Sequence, residues 1–408
     1  MRAILQKLGF ADIAGKPVLR ILSIATLIST FGNGLFTTVE VIYFTFVVGL
    51  PAHQVALALG AAGLASLVST VPLGHMADRF GARRVAVLAA VGEGLSLAGL
   101  AFVHEFWWFL VLNVFITLIG TSGHTAISVL TAKLGEGEER VKIRATQRSM
   151  ANIGIGLGTI FAGFALAANT QFGYQLMLIL DCITFLAEAW YLARLPVDQA
   201  TVEKGEQFSF VALKDKKYLA ATLLNSVMSM HFVLQNVAIP LWIVQETQAP
   251  RWWMAVLFVI NTAGVAIFQI RVSKGTGDLL TSARKFRNSG YWLAFACLLY
   301  GLAAGTPIWV ACLVLVAAMI LHVMGELLGA AGSWAISFDL ADEKHQGQYQ
   351  GVFALSWGLS GSFGPTFVTF MALELGLTGW VIMGALFALA GWLMFRVIFQ
   401  SQTSTRSN

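Results

Sequence analysis

Long apolar runs separated by short polar segments follow one another along the whole chain of 408 residues. Each run approaches the ~20 residues with which an α-helix crosses about 30 Å of hydrocarbon, and each is too long for a strand of a membrane barrel. The pattern therefore predicts an all-α membrane protein with twelve transmembrane helices. The predicted spans are 20–48, 54–76, 85–103, 106–132, 144–168, 172–194, 218–245, 252–273, 290–305, 307–338, 349–374 and 378–399.

The longest polar stretch divides the predicted helices into six before it and six after it. We predict the following organisation: an N-terminal six-helix bundle over 1–194, a cytoplasmic linker over 195–217, a C-terminal six-helix bundle over 218–399 and a cytoplasmic tail over 400–408. HTAIS at 124–128 resembles SWAIS at 333–337, at corresponding places in the two halves. This similarity indicates an internal duplication, so we expect two pseudo-symmetric bundles.

The basic residues give the predicted helices an orientation. With both chain ends in the cytoplasm, 25 of the 26 lysines and arginines fall in cytoplasmic segments, and Arg251 is the exception. This asymmetry follows the positive-inside rule, so we predict a multi-pass protein of the cell membrane with both termini cytoplasmic. The composition agrees, because 57% of the residues are hydrophobic and 12% are charged, against roughly 45–50% and about 25% in soluble domains.

The composition also narrows the functional classes. The net charge of +5 comes from loops that face anionic lipid, and no basic patch with interleaved aromatic residues suggests nucleic acid as a partner. The three cysteines have no metal-ligand or redox spacing, so we expect no metal and no cofactor. The sequence lacks a Walker A loop and the G-x-S-x-G and H-E-x-x-H motifs, and we therefore do not expect an enzyme.

One loop, between the second and third predicted helices, carries a specific motif. The stretch PLGHMADRFGARRV contains, in order, Gly74, Asp78, Arg79, Gly81, Arg83 and Arg84. It resembles the G-x-x-x-D-R-x-G-x-R-R signature of the major facilitator superfamily. The resemblance implies a twelve-helix secondary transporter that moves a small molecule by alternating access of its two halves. Because one chain contains both halves, we expect it to function as a monomer.

The resemblance also implies that this loop is a conformational latch. In similar transporters it stabilises the outward-open state against the start of the eleventh helix, here near Gln346 to Gln350. Glycines allow a close approach, and Asp78 can accept hydrogen bonds from arginines and from a helix N-terminus. The corresponding loop of the second half has Gly277 at the place of Asp78, so we expect a one-sided latch.

The fifth predicted helix carries GIGLGTIFAG, from Gly154 through Gly158 to Gly163. It resembles the G-x-x-x-G-P-x-x-G-G signature of exporting antiporters in the superfamily, with Thr159 at the place of the proline. Small residues four apart also allow close helix packing without any antiport, and both interpretations stay open. Ile116 stands about where many proton-drug antiporters have an arginine, which leaves the route of the proton open.

Ionisable side chains within apolar spans cost about 2.5–3.5 kcal/mol each on insertion scales, so each needs a partner, a cavity or a function. We take Glu326, His322, Glu40 and Glu93 as candidates for proton coupling. His322 and Glu326 lie one turn apart on one face of the tenth helix and can hold a proton between them. The alternative is a group that only stabilises helix packing, and we interpret Asp181 of the sixth helix in that way.

The resemblance places the first, fourth, seventh and tenth helices around a central cavity. Polar and aromatic residues of these helices and of the eleventh are candidates for contact with the solute: Asn33, Phe36, Asn113, His231, Trp334 and Trp357. Such a surface suits an apolar, aromatic or cationic solute through stacking and cation–π contacts. Packing is the alternative role for most of the aromatic residues.

The leading hypothesis is therefore proton-coupled export of a small amphipathic solute across the lipid bilayer. The alternative is an uptake carrier or uniporter for a defined small solute. The near-absence of basic residues in the middle of the spans argues against a carboxylate or phosphate solute in either case. A transporter-like receptor or a membrane enzyme is the third hypothesis, and no further domain for signalling or chemistry supports it.

Overall fold

The computed structural model describes residues 16–134, 137–196 and 211–406, and these are α-helical with no β-strand. The first six long helices are α1 (Pro17–Ile42), α2 (Ala52–Phe80), α3 (Ala82–Leu100), α4 (Phe106–Leu134), α5 (Glu138–Ala168) and α6 (Gln171–Leu192). The second six are α7 (Lys216–Val233, continued by Leu234–Ala238 and Ile239–Glu246), α8 (Trp253–Val272), α9 (Leu279–Leu302), α10 (Ile308–Asp339), α11 (Gln346–Thr369) and α12 (Gly376–Arg406).

Within the described ranges, nine of these helices are long and apolar enough to cross a membrane by length and composition. The other three are α3, α9 and α11. Lysines and arginines lie in the first turns of α3 and α9, and α11 is rich in glycine, serine and glutamine. Their lower hydropathy reflects these basic and small polar residues. Each is still long enough to cross a membrane, so the predicted set of twelve is complete.

The ninth helix begins earlier than the sequence predicts. The predicted span starts at residue 290, whereas α9 starts at Leu279. Asp278 caps it by accepting a hydrogen bond of 2.8 Å from the backbone N–H of Thr281. The prediction was wrong because the basic residues of this stretch lower its hydropathy, although lysine and arginine are good helix formers.

Pro240 shapes the seventh helix. Proline has no backbone N–H, and its ring clashes with the carbonyl of the residue four positions earlier, which deforms a helix locally. A π-helical turn, Leu234–Ala238, lies directly before it. His231 therefore lies in the last regular turn before the π-helical turn. Such turns are frequent at functional sites.

The chain forms two compact units. Unit 1 comprises Met1–Gly135, Thr146–Val211 and Asp342–Gly351, and unit 2 comprises Glu136–Ala145, Ala212–Ala341 and Val352–Asn408. Each unit thus includes one short segment from the other half of the chain. Residues 197–210 of the predicted linker and 407–408 of the predicted tail lie outside the described residues, whereas α12 continues to Arg406.

In unit 1, α1 packs against α6, α3 packs against α4 and α6, and α2 packs against α4. The ring of Phe44, just after α1, lies 4.3 Å from that of Phe109 on α4, centroid to centroid. Tyr43 is buried beside them, and its hydroxyl donates a hydrogen bond of 3.0 Å to the backbone carbonyl of Ala101. This aromatic core holds the end of α1 against the end of α3.

In unit 2, α9 packs along both α10 and α12. The rings of Trp242, Tyr300 and Trp380 form one buried group, with Trp380 lying 5.5 Å from Trp242 and 5.4 Å from Tyr300 between centroids. Nε1 of Trp242 donates a hydrogen bond of 2.8 Å to the carbonyl of Tyr300. These contacts fix α7, α9 and α12 to one another, and they support the polar side chains described next.

Candidate functional site

Three ionisable side chains meet inside unit 2. His322 and Glu326 lie one turn apart on α10, and both are buried. His231 reaches them from α7, where its Nδ1 atom lies 3.2 Å from Nε2 of His322. One ring nitrogen of each histidine and one carboxylate oxygen of Glu326 lie within 4.8 Å of one another. The pair predicted on α10 is therefore part of a cluster that joins two helices, and the cavity candidate His231 belongs to it.

Asn261 orients the carboxylate of this cluster. Its Nδ2 atom, on α8, donates a hydrogen bond of 2.6 Å to Oε2 of Glu326. The ring of Tyr300, on α9, lies edge-on to His322, with 6.1 Å between centroids. Neither residue was predicted. A signal for Asn261 was present in the sequence, as an amide side chain within the apolar stretch VLFVINTAGVAIF.

Aromatic rings continue from this cluster to the surface of unit 2. The ring of Phe232 lies 3.8 Å from that of His231 and 4.7 Å from that of Trp357, between centroids. Trp357, on α11, is 51% exposed, so about half of its side chain is accessible. Trp334, eight residues after Glu326 on α10, is half-buried.

Three carboxyl groups in unit 1 interact with one another electrostatically. Asp181 and Glu188 lie on α6 and are buried, and both interact electrostatically with Glu93 of α3. Glu93 also packs on α4, where a Cβ atom at Gly120 would lie 3.1 Å from its Oε1 atom. Glu93 was predicted as a single candidate and Asp181 as structural, whereas the structure places them in one group.

One hydrogen bond connects this acidic group to α1, and another holds it within α6. Oγ of Ser29 donates to Oε1 of Glu188 at 3.0 Å, and Oγ1 of Thr184 donates to Oδ1 of Asp181 at 3.2 Å. Among the described residues, Oδ2 of Asp181 is buried without a hydrogen-bond partner. Neighbouring carboxyl groups in apolar surroundings can share protons, because adjacent negative charges repel each other.

The remaining candidates of unit 1 lie in or near its core. Glu40 is buried, and its Oε1 atom has no hydrogen-bond partner in the described part of the chain. Phe36 is buried as well, and Nδ2 of Asn113 donates to the carbonyl of Phe109 in its own helix at 3.3 Å. Asn33 is half-buried on α1.

The predicted latch residue Asp78 caps the start of α11 within unit 1. Its Oδ1 atom accepts a hydrogen bond of 2.7 Å from the backbone N–H of Gly347, and Oδ2 accepts one of 3.1 Å from that of Gln348. Such first-turn N–H groups have no partner inside their own helix. A Cβ atom at Gly74 would overlap the carbonyl of Gly347, so the close approach requires glycine. Nδ1 of His75 lies 3.2 Å from Nε2 of Gln348.

The other residues of this loop have different surroundings. Gly81, between α2 and α3, has a φ of 88°, a backbone conformation that favours glycine. Arg83 donates a hydrogen bond of 2.7 Å to a backbone carbonyl that follows α6. Arg79 and Arg84 are exposed. Arginines and a helix N-terminus were both expected as partners of Asp78, and the structure places the N-terminus of α11 against its carboxylate.

A comparison with protein families agrees with this architecture. A model of the Major Facilitator Superfamily matches residues 22–365. The chain belongs to this superfamily. The prediction of the family and of its all-α, twelve-helix fold is thereby confirmed, and the protein is a multi-pass membrane transporter and not an enzyme.

Curated relatives of this superfamily member include resistance proteins. It is 31% identical over 114 residues to the tetracycline resistance protein, class B, of Escherichia coli, a match that covers 28% of each chain. It is 22% identical to the class C protein of Escherichia coli, over 82% of this chain and 84% of that one. It is also 22% identical to the multidrug resistance protein MdtH of Cronobacter sakazakii, over 81% of each.

A solved structure shows the same superfamily fold. The proton:xylose symporter XylE, bound to 6-bromo-6-deoxy-D-glucose, covers 94% of this chain and 95% of its own, with 15% identity and a TM-score of 0.69. At this identity the likeness concerns the fold alone, so the solute of this chain has to be argued from its own residues.

The glycines of α5 play different roles in this member of the superfamily. A Cβ atom at Gly158 would lie 2.9 Å from Cα of Gly34, and one at Gly154 would lie 2.8 Å from the carbonyl of Leu27, both on α1. At Gly163 a Cβ atom would meet open space. The first two therefore bring α5 against α1, as small residues do in membrane helices, whereas Gly163 takes no part in this contact.

Proposed function

We propose that this protein exports a small amphipathic solute from the cell in exchange for protons, by alternating access of its two halves. Membership of the superfamily supports transport. The names of distant relatives, which are tetracycline and multidrug resistance proteins, support efflux as its direction. The distribution of basic residues supports a location in the cell membrane with both termini cytoplasmic.

The observation that carries the proton part is the group of carboxyl groups around Glu93. Three acids from two neighbouring helices of unit 1 interact electrostatically, and one oxygen of Asp181 is buried without a hydrogen-bond partner among the described residues. A proton shared among such groups can be released when water enters one side of the bundle. Glu326 with His322 is the second candidate for proton coupling, and Glu40 is the third.

The chemistry of the solute follows from the aromatic residues. Trp357 is half-exposed, and the ring of Phe232 packs against it at a tilt of 33°. Such rings bind apolar, aromatic or cationic groups. We assign the solute contacts to Trp357, Trp334 and His231 in unit 2, and we assign further contacts to Asn33, Phe36 and Asn113 in unit 1.

The contact between Asp78 and α11 is proposed as the latch of the transport cycle. A carboxylate that accepts two N–H bonds from a helix N-terminus holds that helix firmly, and it can release it when the helix moves away. Gly74 makes the approach possible, because any side chain there would overlap the backbone of α11. A stronger contact between Asp78 and α11 would then increase the population of the state in which the two are joined.

The experiment that tests the proposal is a proton-release assay in energised inverted vesicles. Tetracycline and a panel of cationic and neutral amphiphiles are added, and the internal pH is followed with a fluorescent probe. We expect at least one solute to evoke proton release, and we expect this release to be lost in Glu93→Gln or Glu326→Gln. Glu246→Gln, an exposed glutamate at the end of α7, is the matched control and should behave like the unaltered protein.

A second candidate function is uptake or uniport of a defined small solute. It is favoured by Ile116, which is buried in the apolar core of unit 1 at the place where many proton-drug antiporters have an arginine. In that case the solutes would cross the membrane without proton release. Absence of proton flux with every solute, or flux that survives both substitutions, would contradict proton-coupled export as proposed.

A further inference from the structure

The side chains of His231, His322 and Glu326 are also a possible set of metal ligands. The three side chains present two imidazole nitrogens and a carboxylate oxygen toward one another. All three are at most 4% exposed. Two histidines and one carboxylate are a ligand set that binds transition-metal ions in proteins, and imidazole favours such ions over Mg²⁺ and Ca²⁺.

The spacing of the two histidines suits a shared ion. Two nitrogens bound to one tetrahedral Zn²⁺ at about 2.0–2.1 Å are about 3.3 Å apart. The observed distance between Nδ1 of His231 and Nε2 of His322 is 3.2 Å. One carboxylate oxygen of Glu326 lies within 4.8 Å of one ring nitrogen of each histidine, so its side chain has to move closer as the ion enters.

The surroundings of the cluster include an orienting residue of the kind that metal sites use. Asn261 donates a hydrogen bond of 2.6 Å to Oε2 of Glu326, and this bond fixes the orientation of the carboxylate in the cluster. Ligands that are held in place by such a hydrogen bond bind metal more tightly. The ligands come from α7 and α10 and the orienting amide from α8, so an ion would join three helices of unit 2.

We propose that His231, His322 and Glu326 bind one divalent transition-metal ion of the Zn²⁺ class inside unit 2. This site goes beyond the proposed exchange of solute and protons, and nothing in the spacing of the sequence indicated it, because His231 and His322 are 91 residues apart. The competing explanation is a hydrogen bond between the two imidazoles that only holds α7 against α10.

The test is metal binding by the purified full-length protein in lipid nanodiscs, without any transport. After removal of metals with a chelator, Zn²⁺ is titrated by calorimetry, and Co²⁺ is added separately as a spectroscopic probe. We expect one Zn²⁺ per chain, no comparable binding of Mg²⁺, and loss of the Zn²⁺ site in His231→Ala and in His322→Ala. Asn261→Ala should weaken the affinity about 10–100-fold, the usual effect of losing a hydrogen bond to a ligand.

Two further variants make the result decisive. His345→Ala removes a histidine outside the cluster, whose Nδ1 atom lies 2.6 Å from Oδ2 of Asp342, and it should leave the binding unchanged. His322→Cys replaces one ligand with another, so it should retain Co²⁺ and add sulfur-to-metal absorption bands. These bands would also answer the objection that an alanine variant fails to fold.

Failure to bind Zn²⁺, binding that persists in both alanine variants of the cluster, or a Co²⁺ spectrum of His322→Cys that lacks the sulfur bands would each overturn the proposal. Because no solute or proton gradient is involved, these outcomes are independent of whether the protein exports a solute.

Discussion

Asp78→Asn is the substitution that addresses the latch most specifically. In the structure, the two oxygens of the carboxylate each accept one backbone N–H, from Gly347 at 2.7 Å and from Gln348 at 3.1 Å. Asparagine has almost the same shape, but it offers one acceptor oxygen and presents an NH₂ group where the second acceptor was. One of the two N–H groups therefore loses its partner, and the helix N-terminus loses its negative charge.

The magnitude follows from these two bonds. A hydrogen bond to a charged group contributes about 1.5–3 kcal/mol, and Asp78 is completely buried, so water does not replace the lost acceptor directly. Loss of one such bond raises the population in which the start of α11 has separated from Asp78 by about 10- to 150-fold, since 1.4 kcal/mol corresponds to a factor of ten.

Hydrogen exchange of the backbone amides of Gly347 and Gln348 measures this separation. We expect exchange in the peptide that contains them to accelerate by a similar factor in Asp78→Asn. Asp278→Asn is the control, because Asp278 caps a different helix, α9. Its carboxylate accepts hydrogen bonds from the hydroxyl and the backbone N–H of Thr281, and these bonds lower the pKa of the carboxyl group. Unchanged exchange in Asp78→Asn, or equal acceleration in the control, would refute the assignment of Asp78 as the residue that holds α11.

Two predictions concern stability, measured by thermal unfolding in detergent. Gly158→Leu should destabilise the protein by about 1–3 kcal/mol or more, because the new side chain enters the tight contact between α5 and α1, whereas Gly163→Leu points into open space and should have little effect. Trp380→Ala should cost about 3–5 kcal/mol, because the ring is fully buried, whereas Trp108→Ala removes a largely exposed ring and should change little. Equal effects within either pair would show that the packing is different from the one described.

The number and length of the helices could be predicted because the apolar runs are long and the bilayer sets one length for all of them. The start of α9 could not, because its first turns carry basic residues that hydropathy assigns to a loop. The π-helical turn of α7 had a visible cause in Pro240, yet its exact place depends on how the neighbouring helices pack.

The site was predictable only where its residues share one helix. His322 and Glu326 are four residues apart, and helical periodicity alone places them on one face. The addition of His231 and Asn261, or the grouping of Glu93 with the acids of α6, depends on how each helix is rotated about its axis. A helix that is apolar on all sides gives little information about this rotation, because no polar face marks the direction of solvent.

The central claim is that solute moves against protons, and reconstituted transport tests it most directly. The purified protein is placed in proteoliposomes with an imposed proton gradient, acidic inside, and accumulation of a solute that evokes proton release in vesicles is followed over time. The account predicts uphill accumulation inside the liposomes that stops when a protonophore collapses the gradient and that is absent in Glu93→Gln or Glu326→Gln. Solute movement that only equilibrates the two sides, at the same rate with and without the gradient, would contradict it.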